Sequence, residues 1–424
     1  MQVKEVQNEI LGERYFEIDH PSGLKIYIMP KKNYSSSYAL FGTKYGSIDT
    51  MFKRSDEASF TTVPEGIAHF LEHKLFESEE LDAFERFAKT GASANAYTSF
   101  DKTCYLFSCS DNFEASLEIL LDFVQHPYFT KETVEKEQGI IGQEIRMYDD
   151  IPGWMVEFNL LKALYKNHPV RIDIAGTVDS IAQITDTLLY KCYNTFYNLN
   201  NMALCVVGNV EVDTVLSLCD KLLVPAKELS IERSFPEEPR AIVCDYMEHT
   251  LPVSVPVFAL GFKEVCAGER PDLKEILVSN VLLDIIAGNT TPVYKELFEG
   301  GLINTSFSRE FFYGHGYACM MFEGESNDPA RVADRIKEEI LRFRRKGIDE
   351  NIFECVRRRY YGMEIMSYND IDSIANSVIS CDFGGYELFD TIKILKEMTL
   401  QDVENRFKEV LDEKYAALSV VKSK

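Results

Sequence analysis

The chain repeats itself. Gly66 recurs as Gly288, and Leu75-Phe76-Glu77 recurs as Leu297-Phe298-Glu299, an offset of 222 residues. Gly142, Glu144, Ile145, Tyr148 and Asp150 recur as Gly362, Glu364, Ile365, Tyr368 and Asp370, an offset of 220. The order and spacing of the apolar segments agree as well. A duplication of this kind restricts the chain to two domains of similar fold, and 424 residues suffice for them. Pro225 to Arg240 is proline-rich, acidic and without apolar periodicity, so it reads as a linker. The expected division is 1–224, a linker at 225–240, and 241–424.

One difference between the copies bears on chemistry. Gly66 to Glu77 contains His69-Phe70-Leu71-Glu72-His73, which holds two of only seven histidines. On a helix near 65–77, His69 and His73 lie one turn apart on one face, and Glu72 shares it. This spacing suits two imidazoles on one metal ion, with a carboxylate near the metal's water. The alternative is a surface helix with two unrelated histidines. At the offset of 222 the second copy has Thr291, Tyr294 and Lys295 instead. Any metal chemistry is therefore confined to the first copy, and the second shapes or closes the site.

Two further segments bear on this chemistry. Lys131 to Asp149 reads as a helix on which Glu137, Ile141, Glu144 and Tyr148 form one stripe. Carboxylates on a stripe shared with Ile and Tyr are costly to bury unless something positive neutralises them, and a metal ion would. Acids that simply face water are the ordinary alternative. Gly91 to Phe100 and Thr103 to Ser108 read as two strands, the first rich in small residues. Such an edge lets another backbone approach and pair, which suits a peptide held as an added strand. An ordinary edge without a ligand is the competing reading. Elsewhere, Leu24–Met29 and Tyr38–Tyr45 read as strands, and Trp154–Tyr165 and Ser180–Tyr193 as helices.

Composition excludes some classes. A net charge of −23 opposes nucleic-acid binding. No apolar run is long enough to span a membrane. The first ten residues lack the apolar core of a signal peptide, which makes the cytoplasm the expected location. Ten scattered cysteines without a Cys-x-x-Cys pair read as buried or free thiols in a reducing compartment.

With these motifs in hand, the chain resembles the pitrilysin/insulinase zinc peptidases, the inverzincins, whose signature is His-x-x-Glu-His. The likeness extends over essentially the whole chain. It includes Tyr45-Gly46-Ser47, Gly66 to His73, Asn95-Ala96-Tyr97-Thr98 and the Glu137/Glu144 helix. The length resembles the small bacterial processing-peptidase-like branch. The resemblance implies an α+β fold of two homologous domains, each a mostly antiparallel sheet packed against helices, together forming a clamshell. It implies zinc held by His69, His73 and Glu144, with Glu72 as general base and Glu137 supporting the ligands. Asn95 and Ala96 would pair with a peptide substrate. Active relatives also carry an Arg and a Tyr after a Glu-Leu pair, and Glu296 to Phe307 lacks both here. Arg309, Tyr313, His315 and Tyr317 lie nearby as substitutes. The missing pair implies a homologous heterodimer partner that supplies it, or a homodimer. The leading reading is a zinc metalloendopeptidase for peptides or unstructured segments. A non-catalytic peptide-binding or scaffold subunit is the rival, and a small-molecule metal hydrolase is a third reading.

Overall fold

The computed structural model describes residues 2–79, 81–264 and 270–424. Its first sheet has seven strands. From edge to edge they are Gln2–Asn8, Glu13–Asp19, Lys25–Pro30, Met202–Gly208, Ser37–Thr43, Thr103–Cys109 and Ser93–Thr98. The two central strands, Ser37–Thr43 and Met202–Gly208, are buried throughout. This explains their unbroken runs of apolar and small residues. Alternate residues such as Tyr38 and Leu40 pack with Ile374, Val378 and Ile379 of the helix Ile371–Gly384.

The second sheet has five strands, in the order Tyr246–Thr250, Ala416–Lys422, Val257–Lys263, Tyr317–Glu325 and Ser308–Gly314. The helix Pro152–Leu164 packs on three of them. Each sheet contains one parallel pair, Lys25–Pro30 with Met202–Gly208 and Tyr246–Thr250 with Ala416–Lys422. All other pairings within these sheets are antiparallel. Removing the N-terminal hairpin from the first sheet leaves the strand order of the second. The internal repeat is thus a repeat of topology, in an α+β fold with two homologous domains.

The compact units are not contiguous halves. One consists of residues 1–143, 174–234 and 365–389, and the other of 144–173, 235–364 and 390–424. Each half of the chain contributes one helix to the other half's unit. Pro152–Leu164 covers the second sheet, and Ile371–Gly384 covers the first. Both follow a long helix in their own copy, Lys131–Asp149 or Glu350–Ser367. The exchange is therefore symmetric with respect to the duplication.

The stretch 225–240 carries one short strand, and one local expectation, a single helix over 180–193, is corrected. Ile231–Arg233 pairs with Met51–Arg54, which in turn pairs with Thr61–Thr62. Arg233 Nε donates to the buried Asp49 at 2.8 Å. The segment 180–193 is two helices, Val178–Ile181 and Asp186–Phe196. Thr185 breaks the run because its side chain accepts from Leu188 N and caps the second helix. Among the described residues nine cysteines are free thiols, and Cys266 lies outside those residues. No single described helix is long and apolar enough to cross a membrane.

The end of the 225–240 segment is pinned within the second unit. Glu238 accepts the backbone N–H groups of Lys166, Asn167 and His168 at 2.7–2.9 Å. It also accepts Lys263 Nζ at 2.6 Å. Burial alone would raise the Glu238 carboxyl, but Lys263 and these N–H groups outweigh it and hold the pKa below the usual range. The Lys263 side chain is buried and also donates to Leu164 O and Pro239 O. Glu238→Gln leaves that ammonium without its counter-charge. The expected cost is about 3–5 kcal/mol in urea unfolding followed by Trp154 fluorescence. A carboxyl with a depressed folded pKa stabilises above its unfolded pKa, and loses that contribution as pH falls through the folded value. The gap between wild type and Glu238→Gln is therefore expected to narrow in acid.

Candidate metal centre

The motif helix spans Ile67–Leu75 and is buried on nearly every side. It starts at Gly66, whose φ of 86° lies in the left-handed region. A Cβ there would stand 2.3 Å from Ala175 O. Only glycine tolerates both that backbone and that approach, which accounts for a glycine at this point. Ile67, Phe70, Leu71 and Leu75 enter the core. His69, Glu72 and His73 are left to face the helix Lys131–Asp149 and the strand Ser93–Thr98.

His69 and His73 lie one turn apart, with ring centroids 4.6 Å from each other. His73 Nδ1 is 3.0 Å from Glu137 Oε1. His69, His73 and Glu144 each bring one donor atom to a common point, all within 4.8 Å of one another. The stripe Glu137, Ile141, Glu144 and Tyr148 thus faces inward. Glu137 and Ile141 are buried, and Glu144 and Tyr148 are partly buried. Glu72 is 8% exposed, and its Oε2 accepts Thr98 Oγ1 at 2.5 Å. Burial, and then the neighbouring His73, push the His69 pKa down to about 3. The ring is held neutral, the form that ligates a cation. Two imidazole nitrogens and one carboxylate oxygen form the donor set of an open four-coordinate zinc site. The residues present fit that ion.

Asn95 and Ala96 lie on Ser93–Thr98, the outermost strand of the first sheet, which pairs on one side only. The motif helix packs beside this strand. Asn95 Oδ1 accepts the Ala96 N–H at 2.9 Å, so the side chain covers the amide expected to meet a substrate. In the second unit, Arg309 is committed to the buried Asp284 and to Asn289 Oδ1 at 3.0 Å. Tyr317 is buried, Arg270 lies over Tyr313, and His315 stacks on Phe235.

Two contacts went unassigned in the sequence. Thr98 belonged to a motif segment without a role, although it lies two residues past Ala96 and so points to the same face. Tyr148 shares the helix stripe, and its hydroxyl donates to Glu144 Oε1 at 2.8 Å. Its position four residues after Glu144 was the available signal.

Residues 61–178 match the insulinase domain of peptidase family M16, and residues 183–360 match the domain described as the M16 inactive domain. The zinc protease YmfH of Bacillus subtilis (strain 168) is 41% identical over 420 residues, covering 98% of this chain and 97% of that protein. The chain belongs to the insulinase family, M16. A crystal structure of an M16-like peptidase from Alicyclobacillus acidocaldarius shares 35% identity and a TM-score of 0.91, covering 100% of this chain and 98% of that one. A protease from Helicobacter pylori, 19% identical with a TM-score of 0.82, covers 97% and 99% and shares the fold. Several curated relatives bear the name zinc protease.

The state of His69 has a measurable consequence. The unfolded chain titrates this ring near 6.5, whereas the folded chain resists protonation until about 3. The unfolded state therefore holds the extra proton between these values. The metal-free protein is expected to lose stability as pH falls below about 6.5, by up to about 1.4 kcal/mol per pH unit. Urea unfolding in chelator at pH 7.5 and pH 5 tests this, and His69→Ala is expected to flatten the slope.

Proposed function

We propose that this M16 member is a zinc-dependent endopeptidase acting on peptides or unstructured segments. The observation that supports it most is the convergence of His69, His73 and Glu144 within 4.8 Å, next to a buried Glu72. These three residues would hold the ion. Bound zinc supplies Lewis-acid chemistry, lowering the pKa of water to about 7 and polarising the scissile carbonyl.

The chain's own residues do the rest. Thr98 holds one oxygen of Glu72 and so orients the carboxylate, which accepts a proton from the attacking water. The same carboxyl then returns the proton to the leaving amine. Glu137 accepts the Nδ1 proton of His73, fixing the tautomer with Nε2 available to the ion. A peptide pairs along Ser93–Thr98, where Asn95 releases the Ala96 N–H to the incoming backbone. Oxyanion stabilisation comes from a homologous partner chain, because Glu296 to Phe307 carries neither Arg nor Tyr. A homodimer is the alternative assembly. The nine free thiols among the described residues support a cytoplasmic location.

The absent Arg/Tyr pair also favours a second reading, a non-catalytic peptide-binding subunit of a peptidase-like heterodimer. Zinc content and cleavage of a quenched peptide library separate the two, with and without the partner. Glu72→Gln is expected to keep its zinc and lose about 10²–10⁴-fold in turnover. His69→Ala and Glu144→Gln are expected to lose the zinc itself. Full activity in Glu72→Gln would end the proposed mechanism. A zinc-loaded chain inert with every partner would favour the second reading.

A further inference from the structure

Tyr148 stands one turn beyond Glu144, in the last turn of its helix. Its hydroxyl donates to Glu144 Oε1 at 2.8 Å. Its ring lies parallel to the indole of Trp154, with centroids 4.7 Å apart and planes 18° apart. Trp154 is the chain's only tryptophan. Building on Glu144 as a metal ligand, we infer that Tyr148 is a positioning residue for the metal centre, and that its stack on Trp154 makes this tryptophan a reporter of the site.

The argument starts with the helix end. The final turn of a helix has carbonyls without intrahelical partners and opens most readily. Glu144 lies only five residues before this end, so its direction depends on the last turn staying closed. Two hydrogen bonds close it. Asp150 N donates to Met147 O at 3.2 Å and Ile151 N to Tyr148 O at 3.0 Å. Pro152 then starts the next helix with its fixed φ. That short connection brings Trp154 back under Tyr148. The indole is itself held, because its N–H donates to Asp173 and its ring packs on Phe158 at 5.1 Å.

Packing against Trp154 requires a ring, and phenylalanine would supply one. The hydroxyl serves a separate purpose. It takes one oxygen of Glu144 and restricts rotation of the carboxylate, which orients the other oxygen. Being neutral, a phenol does this without competing as a cation would for the carboxylate charge. Outer hydrogen bonds of this kind orient ligands and raise metal affinity. A change in the Glu144 carboxylate is transmitted through the hydroxyl to the ring, and from the ring to the stacked indole.

The test uses the full chain stripped of metal. Zinc is titrated against a chromophoric chelator while Trp154 emission is followed in the same cuvette. Wild type is expected to bind one zinc, with emission that changes and levels off at one equivalent. Tyr148→Phe keeps the ring stack, so the thermal midpoint of the metal-free protein should stay unchanged. Its zinc affinity should fall about 10–100-fold, and its emission response should shrink. Trp154→Phe tests the clamp independently, and a smaller loss of zinc affinity is expected. Glu144→Gln serves as the control that abolishes binding. If Tyr148→Phe binds zinc as tightly as wild type and keeps the emission change, this inference is overturned while the metal assignment stands. If wild type takes up no zinc, both are overturned.

Discussion

The hydrogen bond between His73 and Glu137 carries the arrangement of the candidate centre. It joins the motif helix to the helix Lys131–Asp149 at a place where polar groups are being removed from water. Burying imidazoles and carboxylates is unfavourable unless each is paired or hydrogen-bonded. Here the burial is offset locally. Glu137 receives His73, Thr98 serves Glu72, and Tyr148 serves Glu144. Each outer group occupies one lone pair or one ring nitrogen and leaves another directed inward. A site built this way is aimed before any cation arrives, because its donors cannot rotate without breaking a bond that the burial has made valuable.

The duplication accounts for how such a site is supported. Both sheets have a parallel pair at one side, a buried central strand and a hairpin at the other edge. One copy carries the His-x-x-Glu-His motif and the other does not, although both have the long helix and the short helix after it. The exchange of those short helices has an energetic logic. Pro152–Leu164 places Leu160 and Leu164 against Gly261, where even a Cβ would come within 3.0 Å of them. A side chain there would push these leucine tips outward, so the glycine lets the helix lie close to the sheet. On the first sheet Gly42 plays the same part, with Ile379 and Phe383 of Ile371–Gly384 close by. Glycines 42 and 261 occupy central strands of the two sheets, so each sheet is shaped for the helix it receives.

Much of this was legible in the residues. The helix Lys131–Asp149 matches its expected bounds because a long stripe at helical period outweighs Gly139 and Gly142. The motif helix was bounded by a glycine that only a left-handed start explains. The short strand Ile231–Arg233 was not visible, because three residues acquire strand character from a partner 177 to 181 positions earlier. The helix break near Thr185 was hidden because a cap depends on one side chain turning back on its own backbone. The exchanged helices were unreadable for a different reason. An apolar stripe states that a helix is covered, but not by which of two similar sheets. Types and spacing pointed to His69, Glu72 and His73 on one helix face and to Glu144 on an inward stripe, and the structure brings His69, His73 and Glu144 within 4.8 Å of one another. The contacts of Thr98 and Tyr148 depend on where three elements meet, which spacing within one element does not encode.

The edge strand Ser93–Thr98 raises a different problem. An unpaired edge next to a buried polar centre is a place where any extended chain can dock, including another copy of the same protein. Asn95 answers this in part. By accepting the Ala96 N–H, its side chain occupies an outward donor that a stray strand would need. A docking backbone must break that bond and supply a better acceptor in its place, so weak encounters gain little from this position. A peptide whose neighbouring residues also fill the space beside Glu72 and the histidines gains at several points at once. On the proposed peptidase reading, the same side chain that protects the edge would make its use conditional on contacts deeper in the site, and selectivity would arise from an otherwise generic backbone interaction.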